Sequence, residues 1–136
     1  MKIVAKALIT NVDGKILVLT RSSSHPLYPH HLDFPGGEVN SDETGVMGVI
    51  REINEETGLV IKAEYINILF QKQIASHKVY ETYSTTIDQS SPEIRLSWEH
   101  DQYTWMTETE LLRLPLPEEV DDYYQMVISS LLDASS

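Results

Sequence analysis

The chain has 136 residues, 41% hydrophobic and 23% charged, with 21 acidic side chains against 10 basic ones and a formal net charge of −11. That length suits one domain, residues 1–136, with a single sizeable core, and so acidic a balance excludes broad binding to nucleic acid or anionic membranes. Without cysteine there is no disulfide framework and no thiol chemistry.

No signal-peptide pattern opens the chain, and no apolar run approaches the roughly 18 residues of a membrane span. A cytoplasmic location is therefore expected. Lys2 to Thr10 reads as a strand, and Lys15 to Thr20 as its hairpin partner across Asn11-Val12-Asp13-Gly14. Arg21 to His31 reads as a loop, broken by Ser22, Ser23, Ser24, Pro26 and Pro29. Its histidines, His25, His30 and His31, are read as solvated. Tyr28 and Arg21 are the candidates there for touching a substrate. Leu32 to Gly36 is a short segment leading into Gly36-Gly37, a pair that permits close backbone approach.

Gly37 to Leu59 organises the rest. Asn40 is expected as N-cap with Glu43 at capping-box spacing, and Gly58 as a left-handed C-cap. Val46, Val49, Ile50, Ile53 and Thr57 recur at helical spacing and are predicted to face a core. Glu52, Glu55 and Glu56 then fall on the opposite face. Glu52 and Glu56 are like charges at i,i+4, a penalty of about 0.2–0.5 kcal/mol. Gly45 and Gly48 share their face, each costing about 1 kcal/mol relative to Ala. A helix that accepts both is expected to make room there for a cation. Three carboxylates suit a hard divalent ion, Mg²⁺ or Mn²⁺; the other reading is a solvated acidic face.

Val60 to Gln73 and Lys78 to Ile87 are predicted as longer strands, Ile94 to Trp98 as an extension of the sheet, and Tyr103 to Met106 as a last short strand. Thr107 with Glu110 spells a capping box. Pro117 is expected in the first turn of a final helix. Val120, Tyr123, Tyr124, Val127, Leu131 and Leu132 supply its apolar stripe, and Ala134 to Ser136 are expected to fray.

Gly37, five residues, Glu43, seven residues, Arg51-Glu52-Ile53, one residue, Glu55-Glu56, one residue, Gly58-Leu59 resembles the Nudix box at every defining position. The chain is thus similar to the MutT-like members of the Nudix hydrolase family. The resemblance implies an α/β chain with the Nudix fold, an α/β/α sandwich around a mixed β-sheet. It also implies divalent-metal-dependent hydrolysis of a nucleoside diphosphate linked to another group. Glu52, Glu55 and Glu56 would be metal ligands, joined by the Gly37 carbonyl, and Arg51 would pair structurally with Glu43. The base would be Glu55 or Glu56, or a glutamate from a later loop, for which Glu99, beside His100, is the candidate.

Markers of two subfamilies are missing. No proline lies between Val60 and Ser91, and Ala75, Ser76 and His77 occupy the position where a subfamily proline or tyrosine is expected. A nucleoside triphosphate or modified nucleotide is therefore the expected substrate. ADP-ribose, a nucleotide sugar and a non-catalytic nucleotide sensor are the alternatives. Trp98, Trp105, Tyr28, Tyr80 and Tyr83 are available for stacking on a base or for the core. The expected partner is a small-molecule nucleotide, with homodimer formation left open and nucleic acid and membrane excluded.

Overall fold

The computed structural model describes residues 1–74 and 76–135, with backbone alone at 134 and 135. Seven strands form one mixed sheet: β1 (Lys2–Thr10), β2 (Ile16–Arg21), β3 (Leu32–Asp33), β4 (Gly36–Glu38), β5 (Asn67–Ile74), β6 (Lys78–Thr86) and β7 (His100–Met106). β1 lies at its centre. It runs parallel to β6 from Lys2↔Lys78 to Thr10↔Thr86, and antiparallel to β2 at Thr10↔Ile16 and to β4 at Lys6↔Gly36. β2 carries β3 and β7, and β5 closes the far side on β6.

Side-chain alternation along β1 and β2 divides the core into two layers. Ala5, Ala7, Ile9, Leu17 and Leu19 bury against Val49 and Ile53 of α1 (Gly45–Thr57). Leu8, Ile16 and Val18 face the other way, against Tyr123, Tyr124, Val127 and Leu131 of α3 (Asp122–Ser135). Between β7 and α3 lies the short α2 (Glu108–Arg113), whose Thr107–Glu110 capping box is formed on both sides. The result is an α/β/α sandwich. Among the described residues no helix is long and apolar enough to cross a membrane.

Several expectations are corrected. The strand expected from Val60 starts only at Asn67, after a 3-10 turn at Ala63–Tyr65. Ile61 and Ile66 both enter the α1-side core; at odd spacing, an unbroken strand would send them to opposite faces. Ile94 to Trp98 is not a strand either. Arg95 N and Ser97 N donate to the carbonyls of Thr57 and Glu56 at 2.8 and 3.4 Å, closing the C-terminus of α1, whose last carbonyls have no partners within the helix.

Asp121, not Pro117, starts α3: its Oδ2 accepts from Tyr123 N and Tyr124 N at 3.1 and 3.2 Å. The helix continues through Ser135, so of the expected frayed tail only Ser136 lies outside the described residues, as does Ala75. Within α3, Leu132 is 48% exposed, whereas Met126 and Ile128 are buried. Finally, Thr44 rather than Asn40 caps α1, accepting from Met47 N at 3.1 Å. Glu43 stays in the preceding turn, where its Oε1 accepts from Asn40 N at 2.9 Å.

Candidate active site

The last turns of α1 lie over the glycine pair of β4. Gly36 has φ +139°, and a Cβ there would stand 2.2 Å from the Ala5 carbonyl oxygen. No other residue fits so close to β1. Its N–H donates to Glu56 Oε1 at 2.8 Å. A Cβ on Gly37 would lie 2.9 Å from the Glu52 carboxyl carbon, so Gly37 leaves the space that brings backbone and carboxylate together.

The three glutamates occupy different surroundings. Glu55 is exposed, Glu52 is half-buried and Glu56 is buried at 3% exposure. The alternative reading, a solvated acidic face, does not hold for Glu56, whose carboxylate is buried against Gly36 of β4. Burial pushes the Glu56 carboxyl well above the usual carboxylate range, outweighing the nearby Lys6. It raises Glu52 as well, against the bonds from Arg51. Gly45 and Gly48 do not open room for a cation. A Cβ on Gly45 would strike Glu81 and Tyr83 of β6, and one on Gly48 would crowd Val39 and Glu43.

Arg51 gathers the loop and the helix into one unit. Its Nη2 donates to Glu43 Oε1 at 2.7 Å and to the Glu38 carbonyl at 3.2 Å. Nη1 reaches Glu52 Oε1 at 3.0 Å and Glu55 Oε2 at 3.2 Å. The bond from Arg51 holds the Glu43 carboxyl below its usual range. With Glu52 and Glu55 turned to the guanidinium, no three His, Asp or Glu side chains among the described residues enclose a metal ion. The donors themselves fit a hard divalent cation: they are all oxygens, and Glu52 lies against the Gly37 backbone.

Behind this site is a buried charge cluster centred on Asp33. Its carboxylate meets Lys6 Nζ, Arg21 Nε at 3.3 Å and His100 Nε2 at 2.9 Å. Burial alone would raise the pKa of Asp33, but Lys6, His100 and Arg21 together hold it well below the usual range. Arg21 also donates to the Leu27 carbonyl at 2.9 Å and pairs with Asp121 at 3.7 Å. The guanidinium expected to meet substrate is thus turned inward, and Arg21 is 4% exposed.

Tyr28 is half-buried, 5.9 Å from that guanidinium and 5.4 Å from the His31 ring. Glu99 is half-buried and close enough to Glu52 to help raise its pKa. Its Oε2 lies 3.8 Å from His25 Nε2. Of the aromatic side chains, Tyr80 and Tyr83 belong to the core, Trp105 packs against it, and Trp98 is exposed.

Sequence reasoning missed Lys6, Asp33, His100, Asp121 and the inward-facing His25. Lys6 had a visible signal, a lysine in the middle of an apolar strand, where an unpaired charge does not stay. Asp33 and His100 had none, because they meet across 67 residues of chain.

A mixed sheet carries a carboxylate-bearing helix over a glycine turn, and comparison with known proteins gives the family of this arrangement. The NUDIX domain model matches residues 2–127. The chain belongs to that family and is a Nudix pyrophosphohydrolase, an enzyme acting on acid anhydrides. Among solved structures it is similar to a MutT protein from Methanosarcina mazei Go1, with 28% identity and a TM-score of 0.75 over 98% of this chain and 94% of that one. DR0079 from Deinococcus radiodurans shares the fold at 24% identity and a TM-score of 0.78, covering 95% of this chain and 82% of that one. So does the NUDIX domain of Shewanella oneidensis NrtR, complexed with ADP ribose, at 21% identity and a TM-score of 0.71 over 98% and 88% of the two chains. Among curated proteins no sequence match was found.

Proposed function

We propose that this enzyme cleaves the diphosphate linkage of a compact nucleotide, a nucleoside triphosphate or a modified nucleotide, with Mg²⁺ or Mn²⁺. The observation that carries this reading is the packing of Glu52 and Glu56 against the Gly36-Gly37 backbone. Glu52, Glu55, Glu56 and the Gly37 carbonyl would hold the ion. When bound, the ion supplies charge neutralisation for the diphosphate and a more acidic water. Arg51 keeps the carboxylates in register through Glu43 and the Glu38 carbonyl.

Glu99 is assigned the proton-accepting role. Glu56 is tied to Gly36 N and Glu55 to Arg51. The Glu99 carboxylate is tied to neither backbone nor arginine among the described residues, which leaves its lone pairs for a water. The nucleobase of the substrate is assigned to a cavity of about 250 Å³ lined by His31, Leu32, Leu114, Asp121 and Tyr124. Asp121 joins it to the Arg21 cluster, and Tyr28 stands beside it against His31.

ADP-ribose is the second reading, favoured by the likeness to the NrtR domain. A panel of nucleoside triphosphates, ADP-ribose, nucleotide sugars and dinucleoside polyphosphates, assayed with Mg²⁺ by released phosphate products, separates these. Triphosphates are expected to turn over fastest, with all turnover lost in EDTA. Fastest turnover of ADP-ribose would transfer the assignment to the second reading, and turnover of none would contradict both.

A further inference from the structure

The loop between β2 and β3 reaches across to the segment that carries Glu99. From this geometry we infer that His25 is a positioning residue, whose Nε2–H aims the Glu99 carboxylate for proton transfer. The inference rests on the proposed role of Glu99. Far from being solvated, the His25 side chain is 11% exposed. Its Nδ1 accepts from Leu27 N at 3.1 Å, so the ring proton resides on Nε2, the atom facing Glu99 Oε2 at 3.8 Å. That separation is longer than a hydrogen bond and suits a contact that tightens when substrate and water are in place.

The rest of the loop is built to hold this pair together. Ser22 N donates to the Glu99 carbonyl at 2.9 Å, and Ser22 Oγ to the Trp98 carbonyl at 2.7 Å. The loop is itself closed by Arg21 N to the His31 carbonyl at 2.8 Å and His30 N to the Arg21 carbonyl at 2.9 Å. It also accepts left-handed backbone at Tyr28 and His30, φ +48° and +69°, conformations that persist only where surroundings enforce them. A half-exposed glutamate on its own samples several rotamers. Here a braced imidazole selects one. The His100 ring lies 6.1 Å from that of His25, and the carboxylate that His25 Nε2 faces is that of Glu99.

Two substitutions separate positioning from loop architecture. His25→Asn keeps an acceptor for Leu27 N–H but cannot reach Glu99, whereas His25→Gln keeps a donor that can. With Mg²⁺ and the nucleoside triphosphate that the wild type turns over fastest, His25→Asn is expected to lower kcat about tenfold or more. KM should stay within about twofold and Tm nearly unchanged. His25→Gln is expected to recover kcat to within about threefold. In a Glu99→Gln background, itself slower by about a hundredfold or more, His25→Asn is expected to add no further loss. The inference is overturned if Asn outperforms Gln, if His25→Asn keeps full kcat, or if it loses the same factor in both backgrounds. Full activity of the single Glu99→Gln enzyme would instead remove the role of Glu99 itself, an outcome read without any change at His25.

Discussion

Exchange of Asp33 for Asn is expected to lower the melting temperature by about 10 °C or more. The carboxylate lies buried between Lys6, Arg21 and His100. Removing its charge leaves Lys6 and Arg21 in the interior, with Asp121 beside Arg21 and Glu56 near Lys6 among the described residues. Breaking a buried charge pair by one partner costs about 3–5 kcal/mol, a large part of a domain's usual stability of about 5–15 kcal/mol. The sign with pH follows from the depressed pKa of Asp33. Its stabilising contribution is present above the unfolded value of 3.8 and is lost only as pH falls through the lower folded value. The difference between wild type and variant should therefore be undiminished at both pH 7 and pH 5. Thermal unfolding at the two pH values measures this, and a shift below about 2 °C would show that the cluster contributes no net stability.

Glu56→Gln is expected to have the largest effect on activity. Here the linkage has the opposite sign, because burial raises the pKa of Glu56 in the folded protein. Folding favours its protonated form, so that contribution is present below the unfolded value and lost as pH rises toward and through the folded one. Gln keeps an oxygen for Gly36 N–H and carries no charge. Without metal, the variant should melt at or above the wild-type temperature at pH 8, with the gap closing toward pH 4.5. Metal reverses the order: Mg²⁺ is expected to raise the Tm of the wild type through binding linkage and to leave the variant nearly unmoved. Activity should drop at least about a hundredfold, since even residues that only support ligands are worth 10–100-fold. A variant whose metal-induced shift matched the wild type would exclude Glu56 as a ligand.

The two cases show what was legible in the chain and what was not. The glutamate-bearing helix, its left-handed Gly58 stop and the Glu43–Arg51 partnership depend on residues close in sequence, where periodicity and spacing act directly. Strand β1 announced itself by apolar content and β6 by its valine, tyrosines and threonines, and Thr107 and Glu110 by a cap that forms as spelled. The misreadings occur where tertiary packing overrides a local pattern. Ile94 and Leu96 look like a strand, but the N–H groups of their neighbours Arg95 and Ser97 are used to close α1. Val60 and Ile61 look like the start of one, but the core needs Ile61 and Ile66 on the same side. A helical wheel placed Glu56 opposite the core stripe but could not show its burial, because it knows nothing of the strand that covers it. His25, read as a solvated loop residue, is held inward by the Leu27 N–H.

Charge placement leads to the most direct test. Arg21 is the only Lys or Arg between Lys15 and Arg51, and its guanidinium is turned into the protein. Lys6 is bound to Asp33, and Arg51 to four partners on its own motif. With these three cations committed among the described residues, they offer no arginine clamp for a polyphosphate, and affinity is expected to come through metal. Calorimetric titration with a non-hydrolysable nucleoside triphosphate analogue, once in EDTA and once in millimolar Mg²⁺, measures this. Negligible heat of binding is expected in EDTA and saturable binding with Mg²⁺. Tight binding in EDTA would contradict the metal-bridged site and point to a nucleotide sensor.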